Sequence, residues 1–147
     1  RASRNGRSGR WFTWRQFPDH MSFIKVTPAS NEDTIQAAFV EQCRMNQKFI
    51  PELEMLYSVP NGGKRSITGA MIMRATGLSP GVPDMVLAVM RSGYGALYIE
   101  FKTPTGRLSP EQVKWHARLT KQGYKVVVAR SVEDAVEAVK GYLFPTV

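Results

Sequence analysis

Gly81-Val82-Pro83-Asp84, the apolar run Met85 to Met90, the connector Arg91-Ser92-Gly93-Tyr94-Gly95, and the second run Ala96 to Phe101 closing on Lys102 form the stretch that decides the fold. Two apolar segments joined by a short glycine-containing connector predict a β-hairpin, with strands over 84–90 and 96–102. Asp84 opens the first strand, and Glu100 and Lys102 close the second. Side chains alternate along a strand, so Glu100 and Lys102 share a face roughly 6–7 Å apart, while Phe101 points the other way into a core. Asp84, Glu100 and the Phe101 carbonyl make an all-oxygen set of the kind Mg²⁺ accepts, with waters filling the rest of its octahedron. Lys102 would put a positive charge where negative charge develops on a reacting phosphate. Leu97 to Phe101 is otherwise apolar, so charged groups emerging from this strand need a partner, and a cation would be one.

Outward from the hairpin, the remaining elements follow from local signals. Ser30 with Asp33 has the form of a capping box ahead of Ile35, Ala38, Phe39 and Cys43 at helical spacing, which predicts a helix over 31–47. Residues 55–59 are expected as a short strand, ended by the turn signal Pro60-Asn61-Gly62-Gly63. A short helix over 67–76 stops at Gly77. Ser109-Pro110-Glu111-Gln112 starts a helix with an N-cap, a proline at the first position and a glutamine at the third. It should run to Gly123, followed by a β-branched strand over 124–129 and a last helix, capped by Ser131 and Asp134, through about Leu143. The order α, β, α, β, β, α, β, α predicts a three-layer α/β domain around a mixed central sheet.

Composition narrows the partners. The 147 residues suit one domain with a sizeable core, and 43% hydrophobic with 22% charged residues are ordinary globular values. A net charge of +8 favours a polyanion such as nucleic acid, set against the bland reading of a merely basic protein. Residues 1–20 carry five arginines against Asp19, half the net charge, with Trp11, Phe12, Trp14 and Phe17 among or just after them. Such a mixture suits phosphate contacts and base stacking, although a flexible basic extension over 1–25 ahead of a domain over 26–147 is the preferred expectation. Met21 is a candidate internal start. Cys43 is the single cysteine, which excludes an internal disulfide, and its apolar neighbours predict a buried thiol. No run has the length of a membrane span and no secretory h-region is present, so an intracellular, cytoplasmic protein with no membrane partner is expected.

Four ordered stretches carry a family resemblance: Asn61-Gly62-Gly63-Lys64-Arg65, Gly81-Val82-Pro83-Asp84, Ile99-Glu100-Phe101-Lys102-Thr103, and Gly106-Arg107-Leu108-Ser109-Pro110-Glu111-Gln112. The chain resembles the PD-(D/E)XK nuclease superfamily, and within it the virus-type replication-repair nuclease (VRR-NUC) family, from about Asn31 to about Leu143. The resemblance implies a restriction-endonuclease-like fold and a Mg²⁺- or Mn²⁺-dependent endodeoxyribonuclease. It makes Asp84 and Glu100 metal ligands, with the Phe101 carbonyl, and gives Lys102 the role of orienting water or stabilising charge. Gln112 would help position Lys102 or the attacking water, with a rival role as the third residue of its own capping box. Glu32, with Gln36 one turn on, is the candidate to complete the acidic cluster, against a plain dipole-favouring role in a first helical turn. Asn61, Gly62, Gly63, Lys64, Arg65 and Arg107 would contact phosphates, although the first three alone read as a turn. His116 and Trp115 are expected as packed or surface residues.

Small stand-alone members of this family resemble Holliday-junction resolvases, so the resemblance implies a homodimer that cuts four-way junctions, in a phage or bacterial setting. Two other readings stand beside it. One keeps the site but takes flaps, nicks or single strands; the other makes the chain a DNA-binding subunit with a spent site. A metal-dependent sugar or nucleotide hydrolase is disfavoured by the basic balance.

Overall fold

The structure is a computed structural model and describes residues 31–60 and 67–145. The basic extension and the Asn61–Arg65 stretch lie outside the described residues. Helix α1 (Glu32–Asn46) leads through a 3-10 turn (Pro51–Met55) to β1 (Leu56–Ser58) and α2 (Ile67–Ala75). Then come β2 (Met85–Leu87), β3 (Leu97–Phe101), α3 (Pro110–Lys121), β4 (Lys125–Ala129) and α4 (Val132–Leu143). The sheet order is β1-β2-β3-β4, antiparallel except for the parallel pair β3–β4, so it is a mixed sheet flanked by helices as expected. Helix α3 is the crossover that joins the parallel pair.

Alternation along β3 divides the molecule. Leu97, Ile99 and Phe101 have no exposed surface and face α1 and α4, where the Phe39 and Phe101 rings lie 5.7 Å apart. Val132, Ala135, Val136 and Val139 of α4 complete that core. Tyr98 and Glu100 face the opposite side, toward Tyr124 and α3. Each large side chain fully buried on the first face contributes about 1.5–3 kcal/mol.

The hairpin differs from its expected extent in an instructive way. The paired strand ends at Leu87; the Ala88 N–H goes to the Met55 carbonyl, one step further along the β1–β2 register, and the Tyr142 hydroxyl donates to the Val89 carbonyl. The chain then turns at Ser92 and Gly93, both at positive φ (50° and 81°), with Arg91 and Tyr94 exchanging backbone hydrogen bonds. That is a two-residue type I′ turn, whose handedness matches the twist of the strands it joins. Helix α1 starts at Glu32, with Asn31 rather than Ser30 as its N-cap: the Asn31 carboxamide accepts the Thr34 N–H at 2.8 Å. An asparagine side chain caps as well as serine, and residue type alone does not say which of two adjacent caps is used. The 3-10 turn, bound to the hairpin tip by a 2.6 Å Arg91–Glu52 ion pair, had no periodic signal to reveal it.

Cys43 lies in the core, 5% exposed, and burial pushes its thiol up to about 12. A raised thiol pKa leaves almost no thiolate at neutral pH, and the thiolate is the nucleophile. Cys43 should therefore resist iodoacetamide in the folded protein at pH 7.5 and be alkylated promptly in denaturant, as read by intact mass; rapid labelling of the native chain would contradict its burial.

Candidate active site

Four elements bring their ends together in one cleft of about 440 Å³, lined by Glu32, Gln36, Asp84, Glu100, Lys102 and Gln112 among others. Asp84 precedes β2 by one residue. Its backbone carbonyl accepts the Val59 N–H at 2.8 Å, and its Oδ2 accepts the Phe101 N–H at 2.7 Å. The side chain thus caps β3 where β2 has ended. In an extended strand the N–H and C=O of one residue face the same side, so the Phe101 carbonyl is directed to the Asp84 edge as well.

Glu100 is the centre of the arrangement and is 1% exposed. Its Oε1 accepts the Gln112 amide N–H at 2.6 Å and lies 3.4 Å from Lys102 Nζ. Its Oε2 is buried and has no hydrogen-bond partner. The Lys102 backbone N–H donates to the Ala129 carbonyl at 3.0 Å, which fixes the residue at the end of the parallel pair. Its ammonium sits 3.3 Å from both Glu32 carboxylate oxygens. Glu32 therefore pairs with the lysine, and its charge also reaches Asp84 in the same cleft.

Gln112 makes the capping box expected of it, and its amide meets Glu100 rather than the expected Lys102. The carbonyl Oε1 accepts the Ser109 N–H at 2.9 Å, while Ser109 Oγ accepts the Gln112 N–H at 3.2 Å, a complete capping box. Because the Ser109 N–H can only donate, the amide oxygen must face it, and this leaves the NH₂ for Glu100. One side chain starts α3 and holds the carboxylate. Gly81 makes this approach possible: at φ +91°, a Cβ there would fall 2.6 Å from the Glu111 carbonyl carbon and 2.8 Å from the Gln112 nitrogen.

Arg107 is exposed on the loop between β3 and α3. Arg130 secures that loop, donating from Nη1 to the Thr103 carbonyl at 2.8 Å and the Gly106 carbonyl at 2.7 Å. Nothing in the sequence around Arg130 signals this clamp, which depends on β4 running parallel to β3. His116, expected as a packing residue, is 15% exposed with its Nε2 3.5 Å from Glu100 Oε2. Its spacing of four from Gln112 was the signal that placed it on the same helix face.

Burial pushes the Glu100 carboxyl upward, and the neighbouring Asp84 carboxylate pushes it further, against the pull of Lys102. Asp84 is likewise raised by burial, partly offset by the Phe101 N–H. Two adjacent, poorly solvated carboxylates repel each other, and a divalent cation removes that repulsion. With Glu32 and Lys102 cancelling, Asp84 and Glu100 would carry two negative charges once both are ionised, the charge of one such ion. Among the described residues no three His, Cys, Asp or Glu side chains form a metal-binding group. The donor set would be two carboxylates and a carbonyl, and Glu100 Oε2 is buried without a hydrogen-bond partner. Such a sparse oxygen set suits a cation that keeps several waters.

The family model for the VRR-NUC domain matches residues 28–133, most of the chain, and the chain belongs to that nuclease-type family. A solved structure described as a VRR_NUC domain protein superposes with a TM-score of 0.66 at 25% identity, covering 78% of this chain and 88% of that one. No curated protein matches the chain.

The divided Gln112 amide yields a prediction. Gln112→Glu retains the acceptor for the Ser109 N–H but turns an oxygen toward Glu100, whereas Gln112→Ala loses both bonds. In urea unfolding, Gln112→Ala should cost about 0.5–1.5 kcal/mol through its hydrogen bonds. Both variants should cleave DNA poorly. Unimpaired cleavage by Gln112→Glu would remove the amide from the site.

Proposed function

We propose that this protein is a divalent-cation-dependent endodeoxyribonuclease that cuts four-way DNA junctions as a homodimer. The observation that carries the nuclease reading is the convergence of Asp84, Glu100, Lys102 and Gln112 in one cleft of a chain with net charge +8. A binder of DNA without catalysis gains nothing from acids facing a polyanion.

Asp84, Glu100 and the Phe101 carbonyl would hold Mg²⁺ or Mn²⁺, which supplies Lewis acidity toward the phosphodiester and a lowered pKa for a water nucleophile. The protein's own groups do the rest. Lys102, held between Glu32 and Glu100, presents a fixed positive charge to the oxygens on which negative charge grows as phosphorus is attacked. Glu32 keeps the ammonium from swinging into solvent. Gln112 holds Oε1 of Glu100 and so restrains the carboxylate. Arg107, on the clamped loop before α3, and Lys64 and Arg65, which follow the cleft-lining Pro60 in sequence, are the proposed phosphate contacts.

The dimer and the junction belong together, because two sites related by a two-fold axis suit a substrate of near two-fold symmetry. Helix α2 supports a second copy: none of its residues is buried, and Ile67, Met71 and Ile72 are 83%, 67% and 58% exposed. Contiguous exposed apolar residues mark surfaces of association. Met71→Glu should shift the mass measured by light scattering from dimer to monomer; a variant that remains dimeric would move the interface elsewhere.

The deciding experiment compares a labelled four-way junction with duplex, flap and single strand, in Mg²⁺ and in EDTA, for wild type, Glu100→Ala and Lys102→Ala. Paired cuts confined to the junction and lost in EDTA are expected. Lys102→Ala should bind the junction normally yet cleave it slower by about 10²–10³-fold, the cost of losing one charge-stabilising group. Cutting of flaps or single strands instead would keep the site and replace the substrate. Binding without cleavage in every metal would establish a non-catalytic subunit.

A further inference from the structure

We propose that His116 is a positioning residue whose Nε2–H holds the second oxygen of Glu100, so that α3 grips both oxygens of this carboxylate from one face. The inference rests on the reading of Glu100 as a cation ligand. Gln112 and His116 are four residues apart on α3 and project side by side. Gln112 takes Glu100 Oε1 at 2.6 Å, and His116 Nε2 lies 3.5 Å from Glu100 Oε2. These last two atoms are both buried and both without a hydrogen-bond partner. Buried polar atoms are costly to leave unmade, and two complementary ones at this separation satisfy each other by a shift of roughly half an ångström.

The chemistry of the ring agrees. A neutral imidazole carries a single N–H. A carboxylate opposite Nε2 draws that hydrogen to Nε2 rather than Nδ1. A doubly held carboxylate keeps one rotamer and one plane while its free lone pairs remain available to a cation. Outer groups that orient ligands in this way are worth about 10–100-fold in metal affinity. A histidine present only for packing would have no such effect.

The test is Mn²⁺ titration calorimetry on the full chain without DNA, beside thermal melts, for wild type, His116→Leu and His116→Gln. Glutamine carries an N–H to about the same reach as imidazole Nε2; leucine fills space without a donor. His116→Leu should bind Mn²⁺ about tenfold or more weakly, and His116→Gln should recover most of the loss. Unchanged affinity in His116→Leu overturns the inference, as does His116→Gln falling as far as His116→Leu. Should leucine prevent folding, long-range ¹H–¹⁵N NMR on the wild type reads the tautomer directly. Protonated Nε2 is expected, and a bare Nε2 overturns the proposal. Wild type that binds no divalent cation would instead overturn the site reading itself, and this inference with it.

Discussion

A carboxylate that is 1% exposed at the end of a core strand is the constraint around which this molecule is arranged. Burying an unpaired charge costs several kcal/mol, so Glu100 is tolerated only with partners on every side. Gln112 and His116 approach it from α3 and Lys102 from just beyond β3, while Asp84, at the edge of β2, is a neighbour of like charge. The partners do not fully neutralise the group, because Asp84 repels it and Oε2 lacks a hydrogen bond. The proposed cation would relieve that shortage of positive charge.

The surrounding fold serves to hold that carboxylate still. On one face of β3, Leu97, Ile99 and Phe101 lock the strand against α1 and α4. On the other, α3 is thinly embedded, with Leu119 its one buried residue, so its position depends on its first turn. The Ser109–Gln112 capping box, the close approach of Gly81, and the Arg130 clamp on residues 103–106 all act at that turn. The same few residues that begin a helix therefore set the geometry of the site. A mutation scan would find the loop around Gly81 and Gly106 as sensitive as the carboxylates.

Lys102 and Glu32 form the second half of the arrangement. Beside the proposed cation a lysine would turn away from like charge, and the Glu32 carboxylate opposes this by holding the ammonium from the α1 side. Glu32 sits at the first residue of α1, where an acid is also favoured by the helix dipole. Its dipole-favoured place and its ion pair are compatible, and both tie α1 to the active edge of the sheet.

Read alone, the sequence determined the element order, the hairpin bearing Asp84 and Glu100, the start of α3 and the burial of Cys43. Those features are written locally: alternation, caps, glycines and apolar runs act over a few residues. It also placed Glu100 and Lys102 on one strand face, since period-two alternation needs no knowledge of the rest of the chain. Tertiary structure alone decided which partners those residues take. Glu32 meets Lys102 across 70 positions, Arg130 reaches back 24 to Gly106, and Gln112 does two jobs only because Gly81 lets α3 come close. Such contacts depend on how helices cross the sheet, a matter of packing and register over long separations that no local pattern encodes.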